Sequence, residues 1–141
     1  MDNSREKVIF ICTSNSFRSQ IAEGLLRELA DKRYKVFSAR SHLSRLHPAS
    51  IKVMSEINID ISMQSSDGIN KYLDKNIDIV ITVCDNAERS CPTFPGEVTR
   101  LHWAIGDPVN GCGSERTDLQ PYRETRDLIK KYIESFINKN F

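Results

Sequence analysis

The chain has 141 residues, 39% of them apolar and 28% charged, which suits one globular domain with its own core, expected to span residues 1–141. Twenty Lys and Arg against nineteen Asp and Glu leave a net charge of +1 with no block of like charges, which argues against a nucleic-acid partner and for small ligands. No apolar run approaches a membrane span and the leading stretch MDNSREKVIFIC lacks a signal-peptide core, so a cytoplasmic protein with no membrane partner is expected.

In chain order, KVIFIC (Lys7 to Cys12) is a continuous apolar run of strand length, the pattern of a parallel strand buried on both faces. From Ser19 the period becomes helical, with Ile21, Ala22, Leu25, Leu26 and Leu29 on one face. KVFSA (Lys35 to Ala39) predicts a second strand, HPASIKVMSEI (His47 to Ile57) a helix opened by Pro48, and SSDGINKYLDK (Ser65 to Lys75) a shorter helical segment. IDIVITVC (Ile77 to Cys84) is the strongest strand, and EVTRLHWAI (Glu97 to Ile105) a weaker one. The glycines and proline of GDPVNGCGS (Gly106 to Ser114) forbid regular structure, and Leu128, Ile129, Tyr132, Ile133 and Phe136 make the last helix amphipathic. This alternation predicts an α/β fold: a three-layer domain with a four-stranded parallel sheet flanked by helices, doubly wound with right-handed crossovers. Ligands of such sheets bind beyond the carboxyl ends of the strands, where Cys12, Cys84 and Asp107 all fall.

Four cysteines, Cys12, Cys84, Cys91 and Cys112, occur in a chain that needs no disulfide framework, so chemistry is the better expectation for them. Between Cys12 and Arg18 lie Thr13, Ser14, Asn15, Ser16 and Phe17, and the helix follows directly. A loop running into a helix N-terminus turns its N–H groups inward and adds the positive end of the helix dipole, which favours an anion. Arg18 supplies a planar fork for two oxygens of a tetrahedral oxyanion. The same field favours a thiolate, which makes Cys12 a candidate nucleophile, with Ser19 placed to hydrogen-bond it. Cys12 could instead be an inert cysteine at the end of a buried strand, and C-x5-R alone is weak; the flanking strand and helix favour the functional reading.

CTSNSFRSQIAEG resembles the phosphate-binding loop of the low-molecular-weight protein tyrosine phosphatase fold, and most closely that of thioredoxin-coupled arsenate reductases, whose usual loop is CTGNSCRSQMAEG. HPASIKVMSEINIDIS, IDIVITVCDNAERSCPTFPG and HWAIGDP resemble the corresponding stretches of that family in the same order. The resemblance implies an oxyanion cradle over residues Thr13 to Arg18, with Asp107 as general acid. It further implies a redox relay in which Cys84 and Cys91 are the second and third cysteines, serving arsenate reduction and detoxification with thioredoxin or a similar dithiol protein as reductant. No cofactor is required, although some relatives bind potassium, and Asn15, Glu23, Ser38 and Asp67 match that set. A monomer is expected.

Two alternatives stay open: a tyrosine phosphatase that hydrolyses phosphate esters through a phosphocysteine, and an inactive oxyanion-binding or thiol-sensing module. Val109 and Asn110 follow the Asp-Pro pair where phosphatases of this fold often carry an aromatic residue, which speaks against the first. Phe17 stands where thioredoxin-coupled members usually have cysteine, and Ser14 where they have glycine. Zinc is disfavoured, because six residues separate Cys84 from Cys91 and His42, His47 and His102 form no ligand pattern. Cys112 is expected to be a bystander, and Arg40 and Arg45 to face solvent.

Overall fold

The computed structural model of the protein describes residues 5–12, 17–40, 48–65, 67–83, 94–106 and 119–139. Within them the chain runs β1 (Glu6–Cys12), α1 (Arg18–Ala30), β2 (Tyr34–Arg40), α2 (Pro48–Ser55), a 3-10 turn (Ile69–Tyr72), β3 (Ile79–Thr82), β4 (Thr99–His102) and α3 (Gln120–Lys139). The four strands form one parallel sheet in the order β2-β1-β3-β4. The chain therefore builds outward from β1 to β2, then returns to lay β3 on the other side. That reversal makes the carboxyl end of β1 the switch point, where a doubly wound sheet opens a crevice.

Burial follows position in the sheet. All of Val8–Cys12 and all of Ile79–Thr82 are buried, as central strands covered on both faces must be. The edge strand β4 starts with exposed Thr99 and Arg100, which is why its sequence pattern is the weaker one. Trp103, just past β4, packs its ring against Phe10 (5.6 Å between centroids), Tyr132 (5.1 Å) and Phe136 (6.2 Å), and so ties α3 to the sheet. A polar staple joins α3 to α2: Arg126 donates to the carbonyl of Val53 at 2.8 Å and to Glu56 at 2.9 Å, and Arg123 reaches Glu56 at 2.9 Å.

Gly24 is where α1 needs the absence of a side chain. A Cβ there would lie 2.6 Å from Ile61 Cγ2 and 3.1 Å from Met54 Cε, so the helix rests directly on the segment after α2.

The structure trims the expected third and fourth strands to Ile79–Thr82 and Thr99–His102 and corrects three helical boundaries. The first helix starts at Arg18, one residue before the apolar period becomes readable. The second ends at Ser55 and not at Ile57, because Asn58 takes a left-handed conformation (φ 65°). Asn58 N–H donates to Ser55 O at 3.0 Å and Ile59 N–H to Met54 O at 3.0 Å, a Schellman closure with asparagine in the usual glycine position. The expected helical segment over 65–75 is reduced to the 3-10 turn, because Gly68 before it is extended and Asn76 after it has φ 60°.

Candidate active site

Three strand ends meet at one edge of the sheet. Ile11 of β1 pairs with Thr82 of β3, and Thr82 pairs with His102 of β4. The ladder continues past the last β3 residue, since Val83 N–H donates to Ile11 O at 2.9 Å and Trp103 N–H to Thr82 O at 2.8 Å. Cys12 closes β1 at that edge and is 2% exposed. Val83 is the residue before Cys84, so register delivers the chain that enters Cys84 alongside the end of β1. Cys84 itself, with Cys91, Asp107, Cys112, Arg45, His42, His47 and the loop residues Thr13, Ser14, Asn15 and Ser16, lies outside the described residues.

Arg18 is the first residue of α1, and its Nη1 donates to the carbonyl of Ile105 at 2.8 Å. One contact thus joins the helix that leaves the cysteine loop to the segment that leads from β4 towards Asp107. Ser19 and Gln20 are completely buried in the same first turn. The Gln20 amide donates to Ser65 O at 2.9 Å and accepts from Gln64 Nε2 at 2.6 Å, which fixes the start of α1 against the segment after α2. No local sequence signal marks this glutamine pair, because Gln20 follows two polar residues, Arg18 and Ser19, and its partners are 44 and 45 residues away.

Phe17 immediately precedes the helix. Its side chain is 3% exposed and offers no cap to the first turn. Its ring instead packs on that of Tyr122 in α3, with centroids 5.1 Å apart and planes at 59°.

Of the residues matching the potassium set, Asn15 lies outside the described residues, and Glu23, Ser38 and Asp67 lie within them. Glu23, 8% exposed, accepts from the Ser38 hydroxyl through one carboxylate oxygen and is paired through the other with Arg27. Arg27 also donates to Val36 O at 3.0 Å and to Gln64 Oε1 at 3.1 Å. Asp67 accepts from Ser65 Oγ at 2.6 Å, Tyr72 OH at 3.1 Å and Lys71 Nζ at 3.2 Å. The Ser65 hydroxyl, opposed by burial and aided by Lys71 and Tyr72, holds the Asp67 carboxyl below its ordinary range, while burial and the nearby Asp67 push the Tyr72 phenol up. Glu23 and Ser38 therefore come together, and each of the carboxylates of Glu23 and Asp67 has a protein cation beside it, Arg27 and Lys71 respectively. Among the described residues no three His, Cys, Asp or Glu side chains are grouped to hold a metal. A cleft of about 370 Å³ beside this network is lined by Glu23, Arg27, Tyr34, Phe37, Ser65 and Tyr72, on the flank of α1 and away from the strand ends. No helix among the described residues is long and apolar enough to cross a membrane.

Comparison with known proteins agrees with this arrangement. Residues 7–140 match the family model described as low molecular weight phosphotyrosine protein phosphatase. An arsenate reductase of Staphylococcus xylosus is 39% identical over 132 residues, covering 94% of this chain and 96% of the relative. The solved structure of an arsenate reductase in its oxidised state superposes with a TM-score of 0.80 at 32% identity, covering 95% of this chain and 98% of that one. A thioredoxin-dependent arsenate reductase of Corynebacterium glutamicum superposes with a TM-score of 0.74 at 28% identity, covering 99% of this chain and 63% of that one.

Proposed function

Because the chain belongs to the low molecular weight phosphotyrosine protein phosphatase family, on its arsenate reductase side, we propose that it reduces arsenate to arsenite with Cys12 as nucleophile and thioredoxin as the source of electrons. The observation that supports the reading is that Val83, the residue before Cys84, donates its N–H to the carbonyl of Ile11, the residue before Cys12, at 2.9 Å. A phosphatase needs one cysteine; a reductase needs a second within reach of the first.

The Cys12 thiolate attacks the arsenic of arsenate, and an oxygen leaves as water after protonation by Asp107. Arg18 and the N–H groups of residues Thr13 to Arg18 hold the oxyanion, and Ser19 supports the thiolate. The Cys84 thiolate then attacks the sulfur of Cys12. The electron pair of the sulfur–arsenic bond passes to arsenic, which is reduced from the +5 to the +3 state and departs as arsenite, leaving a Cys12–Cys84 disulfide. Attack by Cys91 on Cys84 frees Cys12 and moves the disulfide to Cys84–Cys91, which the dithiol of thioredoxin reduces. No step needs a metal, and the chain acts as a cytoplasmic monomer.

The test is NADPH oxidation with thioredoxin and thioredoxin reductase, with and without arsenate, beside p-nitrophenyl phosphate hydrolysis by the same preparation. Arsenate-dependent turnover with weak hydrolysis is expected. Robust hydrolysis without arsenate-dependent turnover, using two different dithiol reductants, would make the protein a phosphatase.

A further inference from the structure

A residue at the start of a helix normally has a short polar side chain that folds back on the first turn. Phe17 has none to offer, and its ring is directed away from α1 into a contact with α3. The residue after it is Arg18, whose guanidinium is tied to Ile105. The backbone at Phe17 is also committed, since its carbonyl accepts from Ile21 N–H at 2.9 Å. Wherever the Phe17 ring is held, the backbone that carries Arg18 is held as well.

Tyr122 provides a firm seat for that ring. It is 9% exposed in the first turn of α3, and the next residue, Arg123, joins Arg126 on Glu56 at the end of α2. Arg126 adds a bond to the Val53 carbonyl from a side chain that is 9% exposed. A continuous chain of contacts thus runs from α2 through α3 and the two rings to Arg18. Arg18 is fixed at both ends, its backbone through Phe17 and its head group through Ile105.

We infer that Phe17 and Tyr122 form an aromatic clasp that positions Arg18, so that oxyanion affinity depends on a ring contact with α3. The Phe17 ring and Tyr122 act through Arg18 as positioning groups, and the inference rests on Arg18 being the oxyanion clamp and Cys12 the nucleophile. A clamp must sit within a few tenths of an ångström of its productive place, and releasing the ring lets the first turn of α1 drift.

The experiment uses the full chain as wild type, Phe17→Leu, Tyr122→Leu, the double Leu variant and Tyr122→Phe, all below the lowest melting temperature of the set. Alkylation of Cys12 by iodoacetamide is followed by mass spectrometry against pH and against inorganic phosphate, and KM and kcat for arsenate are measured in parallel. Each single Leu variant should raise the phosphate concentration for half-protection by about threefold to tenfold, the range an aromatic pair supports. KM should rise to match, with a smaller change in kcat. The double variant should be no worse than the worse single, because either change opens the same clasp. Tyr122→Phe keeps the ring and should stay near wild type.

Unchanged half-protection in both single Leu variants, even with a lowered melting temperature, would make the contact merely structural and overturn the inference. A double variant whose effect is the product of the singles would do the same, as would an effect of Tyr122→Phe equal to that of Tyr122→Leu. If phosphate fails to protect Cys12 in the wild type, the site assignment itself falls, and the clasp with it.

Discussion

Arg18 and Ile105 stand 87 residues apart in sequence and are joined by a hydrogen bond of 2.8 Å from the guanidinium to the backbone carbonyl. The bond spends one donor of Arg18 on the protein and orients the planar fork, which is the property that separates arginine from lysine. Arg18→Lys keeps the charge and loses the fork. It should lower kcat/KM for arsenate by about tenfold to a hundredfold, as expected for a lost hydrogen bond to a charged group. A change of less than threefold in steady-state kinetics would remove Arg18 from the cradle.

Arg27 is the cation on Glu23, and it holds Val36 O and Gln64 as well. Its side chain is 45% exposed, so the pair is worth less than a buried one. Arg27→Met should destabilise the protein by about 1–2 kcal/mol in urea unfolding, chiefly by leaving Glu23 without its partner. Combining it with Glu23→Gln should recover part of the loss; full additivity of the two changes would show that they do not act as a pair.

Asp67 sets part of the acid limb of stability. Its carboxyl is held below the ordinary value in the folded protein, chiefly by the Ser65 hydroxyl. A depressed carboxylate binds fewer protons folded than unfolded, so its contribution is present above the unfolded value of about 4 and is lost as pH falls through the folded one. Melting temperatures between pH 3 and pH 7 should therefore fall more gently towards acid in Asp67→Asn than in the wild type. Parallel curves would mean that Asp67 contributes nothing to that limb.

Gly24 is required by the approach of α1 to Ile61. Gly24→Ala places a methyl where Ile61 Cγ2 already lies, and overpacking of this kind should cost about 1–3 kcal/mol despite the better helix propensity of alanine. Ile61→Ala in the same chain should remove most of that penalty, as read from denaturation midpoints. A stabilised single variant would contradict the close approach.

What was legible in the sequence was local. Val8 to Cys12 is read as a buried strand from its own composition, and Arg18 is read as a clamp from its spacing to Cys12 and the helix that follows; the described structure places both at the β1–α1 junction. Asn58 and Asn76 could not be read as the residues that shorten the second helix and the 65–75 segment, because asparagine tolerates the left-handed region without demanding it. The partners of Arg18, Gln20 and Phe17 were not legible at all, since Ile105, Ser65 and Tyr122 meet them only through the crossovers of the sheet. Glu23 and Ser38, two of the four residues matching the potassium set, are hydrogen-bonded to each other, and the pairing of Glu23 with Arg27, one helical turn on, was not legible either.

The proposed relay stands or falls with Cys84 resolving an adduct on Cys12. Removing Cys91 stops the relay after that step, so a Cys91→Ser variant incubated with arsenate and no reductant should accumulate a Cys12–Cys84 disulfide. Non-reducing digestion and mass spectrometry would identify it. Recovery of that bond in most of the protein, only when arsenate is present, is the predicted result. Absence of the bond, with Cys12 remaining reduced after prolonged exposure to arsenate, would contradict the mechanism.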